Sequence, residues 1–279
     1  MPLSIKIFTE PGPHSKKYKS SSSKTVVNTA SNITLNTTSY TFTGTTPIKN
    51  YDRTLGFEHI YVVHLEHRRD RLFKMMAIEK ELDVDFEYFM AVNLNDSETL
   101  NKYGFHHDNP NHKACYVSHY RILDSIVRNG YKSSLILEDD VDLEVFLFEL
   151  IKDVFRLLPT DWEMIYLGHC NSGEDRGDFM GEALDFKVYK SSSPACTHGY
   201  AVSLSGAKKL LRELIDGSLP YDLQIRGPIR SGNIKSYTLI PSAIIQWIYG
   251  NPSDISPGGD SWTYPLKQSI MQSLGFKAE

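Results

Sequence analysis

Cysteine is scarce in this chain, with three residues in 279, Cys115, Cys170 and Cys196, and no C-x-x-C pair among them. That spacing excludes a zinc knuckle and a disulfide-dense scaffold. Each thiol reads first as a small buried hydrophobe. A basic block is also missing: 30 Lys and Arg stand against 34 Asp and Glu, for a formal charge of -4 and a pI near 6.2. This argues against a protein whose affinity comes from many phosphate contacts with nucleic acid. No apolar run reaches the roughly eighteen residues of a membrane-spanning helix, and the first thirty residues hold no apolar signal core. No internal repeat is visible.

What is present divides the chain in two. Residues 1–52 read as a tail or stalk without fixed structure, because Ser20 to Thr46 is dominated by Ser, Thr and Asn and has no helical period. Asn32 and Asn36 begin N-x-[ST] triplets, which matter only in a secretory compartment. Residues 53–279 read as one domain in which strands and helices alternate. "HIYVVHL" (59–65) predicts a buried strand, and the next segment carries Leu72, Met75, Met76 and Leu82 at helical spacing. A strand over 86–92, a helix over 116–130, a strand over 133–139, a helix over 144–158 and a strand over 162–169 follow. Strands near 186–191 and 197–203, a helix over 205–215 capped by Ser205, and a strand over 236–247 carrying Pro241 complete the pattern. Such alternation predicts an α/β fold with a mainly parallel sheet flanked by helices, where ligands bind beyond the carboxyl ends of the strands.

At one such end the sequence reads "SSLILEDDVD" (133–142), an apolar run that stops at Glu138, Asp139, Asp140 and Asp142. Clustered carboxylates repel, and one must protonate unless a cation is present. Hard oxygen ligands suit Mn²⁺ or Mg²⁺, with water and a diphosphate filling the remaining positions. The plainer alternative is a helix start decorated with acids, Asp140 or Asp142 serving as cap for the helix at 144. An EF-hand is excluded because no Gly follows at the required position, and the bare Asp-Val-Asp spacing of a phosphatase nucleophile continues into Glu144.

Four segments in order, "IYVVHLEHRRDR" (60–71), "ACYVSH" (114–119), "SLILEDDVD" (134–142) and "THGYAVSLSGAKKLL" (197–211), resemble glycosyltransferase family 25, the group of lipooligosaccharide and collagen galactosyltransferases, and look closest to its fungal members. Weaker matches follow at 219–227 and 240–246. The resemblance implies a GT-A fold with a Rossmann-like sheet, a UDP-sugar donor, a glycan or glycoprotein acceptor, and Mn²⁺ or Mg²⁺ held by the acidic motif. A bound metal would neutralise the charge growing on the departing nucleotide. The expected reaction inverts the anomeric carbon and moves galactose. A catalytically silent relative that only binds nucleotide-sugar or carbohydrate is the alternative, because His64 and Ala114 stand where the family usually has Asn and Gly.

Residue by residue, the resemblance assigns Asp140 to the metal, with Glu138 on the metal or the ribose; His198, just before the strand "GYAVS", is a candidate second metal or phosphate ligand, a strand-edge imidazole being the plainer reading. Asp139 orients its neighbours. Leu65, Arg68 and Arg71 belong to the donor-binding first motif, where an arginine fork can meet diphosphate oxygens, an exposed turn paired with Asp70 being the plainer reading. Ser118 and His119 match the family's Ser-His pair at what reads as a helix start, where they would contact the donor, a structural hydrogen-bonding role for His119 being the alternative. The base that takes the acceptor's proton is expected at Asp222, with Asp254 as substitute, although Asp222 also fits a helix cap.

Location follows from the tail. Sequons in a Ser/Thr-rich stalk suit a lumenal domain of the Golgi or endoplasmic reticulum below an anchor absent from this sequence, and a cytoplasmic enzyme is the alternative. If the strands ending at Cys170 and starting after Cys196 are antiparallel neighbours, the two sulfurs come within bonding range and Cys115 stays free. The alternative is two buried thiols.

Overall fold

The computed structural model describes Ile7–Phe8 and residues 53–170, 177–247, 254–255 and 265–277. The expected tail, with Asn32 and Asn36, lies outside the described residues except for Ile7–Phe8, which form a short strand β1. The remaining strands are β2 (His59–His64), β3 (Glu87–Met90), β4 (Ser133–Glu138), β5 (Val141–Leu143), β6 (Met164–Gly168), β7 (Phe179–Ala183), β8 (Phe186–Lys190), β9 (Gly199–Ser203), β10 (Ser236–Ile240) and β11 (Ile244–Gln246). The helices are α1 (Arg69–Leu82), α2 (Ser97–Lys102), α3 (Pro110–Asn129), α4 (Leu147–Leu157), α5 (Leu204–Glu213), α6 (Tyr221–Arg230) and α7 (Ile270–Ser273).

Nine strands form one sheet in the order β1-β3-β2-β4-β9-β6-β10-β8-β7. The sheet is mixed, which corrects the mainly parallel expectation. β1, β3, β2 and β4 pair in parallel, as do β6 and β10, whereas β9 is antiparallel to both its neighbours and β8 to both of its own. The cause is the connection. A parallel return needs a crossover, usually a helix, and between β6 and β9 the described residues contain only the hairpin β7–β8. Leu184 and Asp185 close that hairpin with φ of 44° and 64°, the two positive angles a type I′ turn requires.

Side chains alternate across the sheet, so each strand feeds two cores. Ile60 and Val62 of β2, with Leu135 and Leu137 of β4, face α1 and α4, where Met75, Ile78, Leu150, Ile151 and Val154 bury them. Tyr61 and Ile136 point the other way, onto Val117, Ile122 and Ile126 of α3 and onto α5 and α6. Each such aliphatic side chain contributes roughly 1.5–3 kcal/mol by leaving water. The central strands are thereby fixed, and their carboxyl ends become a rigid platform.

Several boundaries moved. The helix expected from 116 starts at Pro110, because Asn109 caps it through Asn111 N–H at 2.9 Å and Pro110 suits the first helical position. The cap of α5 is Ser203, whose hydroxyl accepts from Gly206 N–H at 3.1 Å, while Ser205 donates to Glu163. The expected strand over 236–247 breaks at the cis Ile240–Pro241 peptide into β10 and β11, and β11 leaves to pair antiparallel with β5.

Candidate active site

β2 and β4 run side by side in parallel, with Val63 opposite Glu138, so the turn after β2 and the acidic turn after β4 meet at one edge. Asp139 ties the two together. One carboxylate oxygen accepts from His64 Nδ1 at 2.8 Å and Leu65 N–H at 3.3 Å, and the other accepts from Arg71 at 2.8 Å. Asp139, His64 and Arg71 are all buried. The His64 that departs from the family pattern therefore serves as a clamp on the acidic turn.

Asp140 differs from its neighbour. Its Oδ2 lies 3.2 Å from Arg71, but its Oδ1 is buried and has no hydrogen-bond partner among the described residues. Burial, and then the charge of Glu138, push its carboxyl up to about 7, with Asp139 adding to the rise and Arg71 and Arg68 opposing it. Glu138 goes the other way. Burial alone would raise it, yet the imidazoles of His119 and His198 outweigh burial and hold it below the usual carboxylate range.

The opposite wall is α3. Its face presents Ala114, Cys115, Ser118 and His119, one helical turn apart in pairs. Ser118 donates to Ala114 O at 2.7 Å and accepts from Val92 N–H at 2.9 Å, which fastens α3 to the loop after β3. His119 lies in the middle of α3, rather than in a first turn as the sequence suggested. It is fully buried, bonds through Nδ1 to Tyr200 Oη at 3.0 Å, stacks on Tyr221 at 4.6 Å, and faces Glu138 Oε1 with Nε2 at 3.6 Å. Tyr200 and Tyr221 bond to each other at 3.1 Å.

The arginines after β2 are engaged with carboxylates. Arg68 bonds Asp254, and pairs with Asp70 at 3.0 Å; Arg71 also reaches Asp254 at 3.5 Å. Asp254 thus stands at the cavity edge across two guanidiniums. Asp222 does not line the cavity; in the first turn of α6 it accepts from Cys196 N–H at 3.0 Å. His198 donates Nε2–H to Ile244 O at 3.1 Å, and burial lowers its pKa to about 4. Among the described residues Glu138, Asp140 and His198 do not form a set of ligand atoms within 4.8 Å of one another.

The remaining acids of the motif do other work, which sequence reasoning missed. Asp142 accepts from Leu143 N–H at 2.8 Å, from Met271 N–H at 3.0 Å and from the Ser269 hydroxyl, and Glu144 accepts from Lys267 and Gln268 N–H at 2.7 and 2.8 Å. They pin the segment 267–271 against β5 and cap nothing in α4. The sole signal for this in the sequence was parity: Asp142 and Glu144 are spaced to share one side of an extended strand.

Together these walls enclose a cavity of about 520 Å³, lined by Leu65, Arg71, Ser118, His119, Glu138, Asp139, Asp140 and Asp254 among others. A cavity of that size lined by several carboxylates and by the Arg71 guanidinium has the make-up of a site for a polar small molecule. The residue that bears on a cation is Asp140. Its unpartnered Oδ1 beside a second carboxylate, and its raised pKa, fit a hard divalent ion held with Glu138.

The sequence profile of glycosyltransferase family 25 (LPS biosynthesis protein) matches residues 57–225, and the chain belongs to that family. A glycosyltransferase 25 family member of Anopheles gambiae is 32% identical over 177 residues, 57% of this chain and 29% of the relative. Procollagen galactosyltransferase 1 of Danio rerio is 31% identical over 186 residues, 60% of this chain and 31% of the relative. The match thus spans under a third of either relative. A solved glycosyltransferase involved in glycosylation of the major capsid of PBCV-1 overlaps 56% of this chain and 63% of its own at 12% identity, with a TM-score of 0.31, too loose to bear on the site.

Proposed function

We propose that the chain is an inverting, metal-dependent glycosyltransferase that moves a sugar, galactose in our reading, from UDP to a hydroxyl of a glycan or glycoprotein. The observation that carries it is Asp140 Oδ1, a buried carboxylate oxygen with no hydrogen-bond partner among the described residues, on a residue that lines the cavity together with Arg71, Glu138, Asp139 and Asp254. The galactose assignment draws on the family and on the names of the procollagen galactosyltransferase relatives. A GT-A-type arrangement is supported by strand direction, since all strands of the large sheet except β8 and β9 run the same way.

In this reading Asp140 and Glu138 would hold Mn²⁺ or Mg²⁺, and the ion would neutralise charge on the departing diphosphate. Asp139 does not touch the ion; it fixes the acidic turn through His64, Leu65 and Arg71. Arg68 and Arg71 receive diphosphate oxygens in place of Asp254. Asp254, at the cavity edge, then accepts the acceptor's proton, a role Asp222 is poorly placed to fill because it holds Cys196 N–H. The lumenal location remains part of the proposal.

Hydrolysis of UDP-sugars measured across several sugars with Mn²⁺ tests the assignment. Turnover is expected with UDP-galactose, and Asp254→Asn is expected to lower kcat about 10²–10⁴-fold with donor binding kept. UDP binding without turnover on any sugar would favour a silent relative.

A further inference from the structure

A second cluster of ligand-type side chains, of different chemistry, lines the same cavity. Cys115 and His119 are four residues apart on α3, so both project from one face of the helix toward the end of β4. Cys115 Sγ, one His119 imidazole nitrogen and a Glu138 carboxylate oxygen all lie within 4.8 Å of one another. Cys115 is the free cysteine of the structure, the other two being joined to each other. His119 is 0% exposed, and among the described residues its Nε2 has no hydrogen-bond partner. Its separation of 3.6 Å from Glu138 Oε1 is too long for a hydrogen bond and matches the ligand-to-ligand spacing of about 3.3–3.8 Å around a tetrahedral zinc-class ion.

We propose that Cys115 Sγ, His119 Nε2 and Glu138 Oε1 form a three-ligand site for a borderline-soft divalent ion of the Zn²⁺ class. One sulfur, one imidazole and one carboxylate select Zn²⁺ or Co²⁺ over the hard Mn²⁺ and Mg²⁺, which prefer all-oxygen shells. The fourth position faces the cavity, which Cys115, His119 and Glu138 all line. The outer support is already built. Metal-bound histidines hand their second ring nitrogen to a partner that fixes the ring, and here His119 Nδ1 bonds Tyr200 Oη at 3.0 Å, Tyr200 bonds Tyr221 at 3.1 Å, and Tyr221 stacks on the imidazole. Binding releases the Cys115 thiol proton to solvent, and the ion takes the thiolate lone pair. Glu138 is shared with the hard-ion site at Asp140, so Zn²⁺ antagonises Mn²⁺; that consequence alone rests on the transferase reading.

Co²⁺ titration of the full, unreduced chain tests the site, because thiolate bound to Co²⁺ gives a near-ultraviolet charge-transfer band and a tetrahedral ion gives intense visible bands. The parent is expected to show both at one equivalent, to lose both on adding Zn²⁺, to keep both with one equivalent of Mn²⁺, which competes through Glu138 alone and binds such a site more weakly, and to keep both in Asp140→Asn. Cys115→Ser is expected to lose the charge-transfer band. A parent without that band, or a band that survives in Cys115→Ser, would overturn the proposal. A measurement on the parent alone guards against a variant that fails to fold. One equivalent of Zn²⁺ is expected to slow alkylation of the single free thiol at least tenfold, and unchanged alkylation would overturn the site. Neither readout involves turnover, so failure here leaves the transferase reading standing, and the reverse.

Discussion

Asp139 and Asp140 are adjacent carboxylates with opposite duties. Asp139 is buried against Arg71 and His64, so Asp139→Ala removes the acceptor of the His64 imidazole and leaves Arg71 to Asp140 and Asp254, at an expected cost of about 1–3 kcal/mol, read by denaturant unfolding. Asp140 is held on one oxygen only, by Arg71. Its folded pKa of about 7 lies above the unfolded value of roughly 3.9, so the fold favours the neutral acid. The metal-free chain therefore loses stability as pH rises from about 4 to about 7 on account of this group. Asp140→Asn removes that loss, and the metal-free variant is expected to melt above the parent at pH 8 and close to it at pH 4. The acidic run and its place at a strand end could be read from residues 133–142. Which carboxyl is tied at both oxygens and which at one could not, because that depends on the turn that brings Asp139, and not Asp140, under Leu65 N–H.

At the scale of elements, the carboxylates farther along the motif anchor the chain's C-terminal segment. Asp142→Ala leaves the N–H groups of Leu143 and Met271 without their acceptor in a buried setting, at an expected cost of about 1–3 kcal/mol in thermal or denaturant unfolding. The segment 267–271 is expected to gain hydrogen exchange ahead of the core strands in that variant. Strands β2, β4 and β9 were legible because runs such as "HIYVVH" and "SSLILE" are β-branched and apolar on both sides, as a doubly covered strand must be. β7 was not, since its "FMGEA" is an edge strand with exposed Phe179 and a Gly at φ of 143°, and so lacks any clear alternation. The pairing of β5 with β11 was equally hidden. Three residues a hundred apart in the chain carry no local periodicity to announce it.

For the whole molecule, the antiparallel place of β9 joins fold and covalent structure. β6 and β9 pair antiparallel, which brings Cys170 and Cys196 to the same end, and they form a disulfide with their Cα atoms 5.7 Å apart. The bridge closes a loop worth about 3 kcal/mol in chain entropy and persists in an oxidising compartment. Thiol counting on unfolded, unreduced protein is expected to give one free thiol, Cys115, and three would remove the bridge. Strand order itself could not be read from the chain, because alternating strands and helices suggest crossovers and conceal a hairpin in the place of one. The central claim is that the cavity at the ends of β2 and β4 takes a nucleotide-sugar diphosphate through a cation on Asp140. Calorimetric titration of UDP into the parent and Asp140→Asn, each with Mn²⁺ and then with a chelator, tests it most directly. The account predicts Mn²⁺-dependent binding in the parent that the chelator abolishes, and none in a folded Asp140→Asn. Equal affinity for Mn²⁺ and UDP in the two proteins would contradict it.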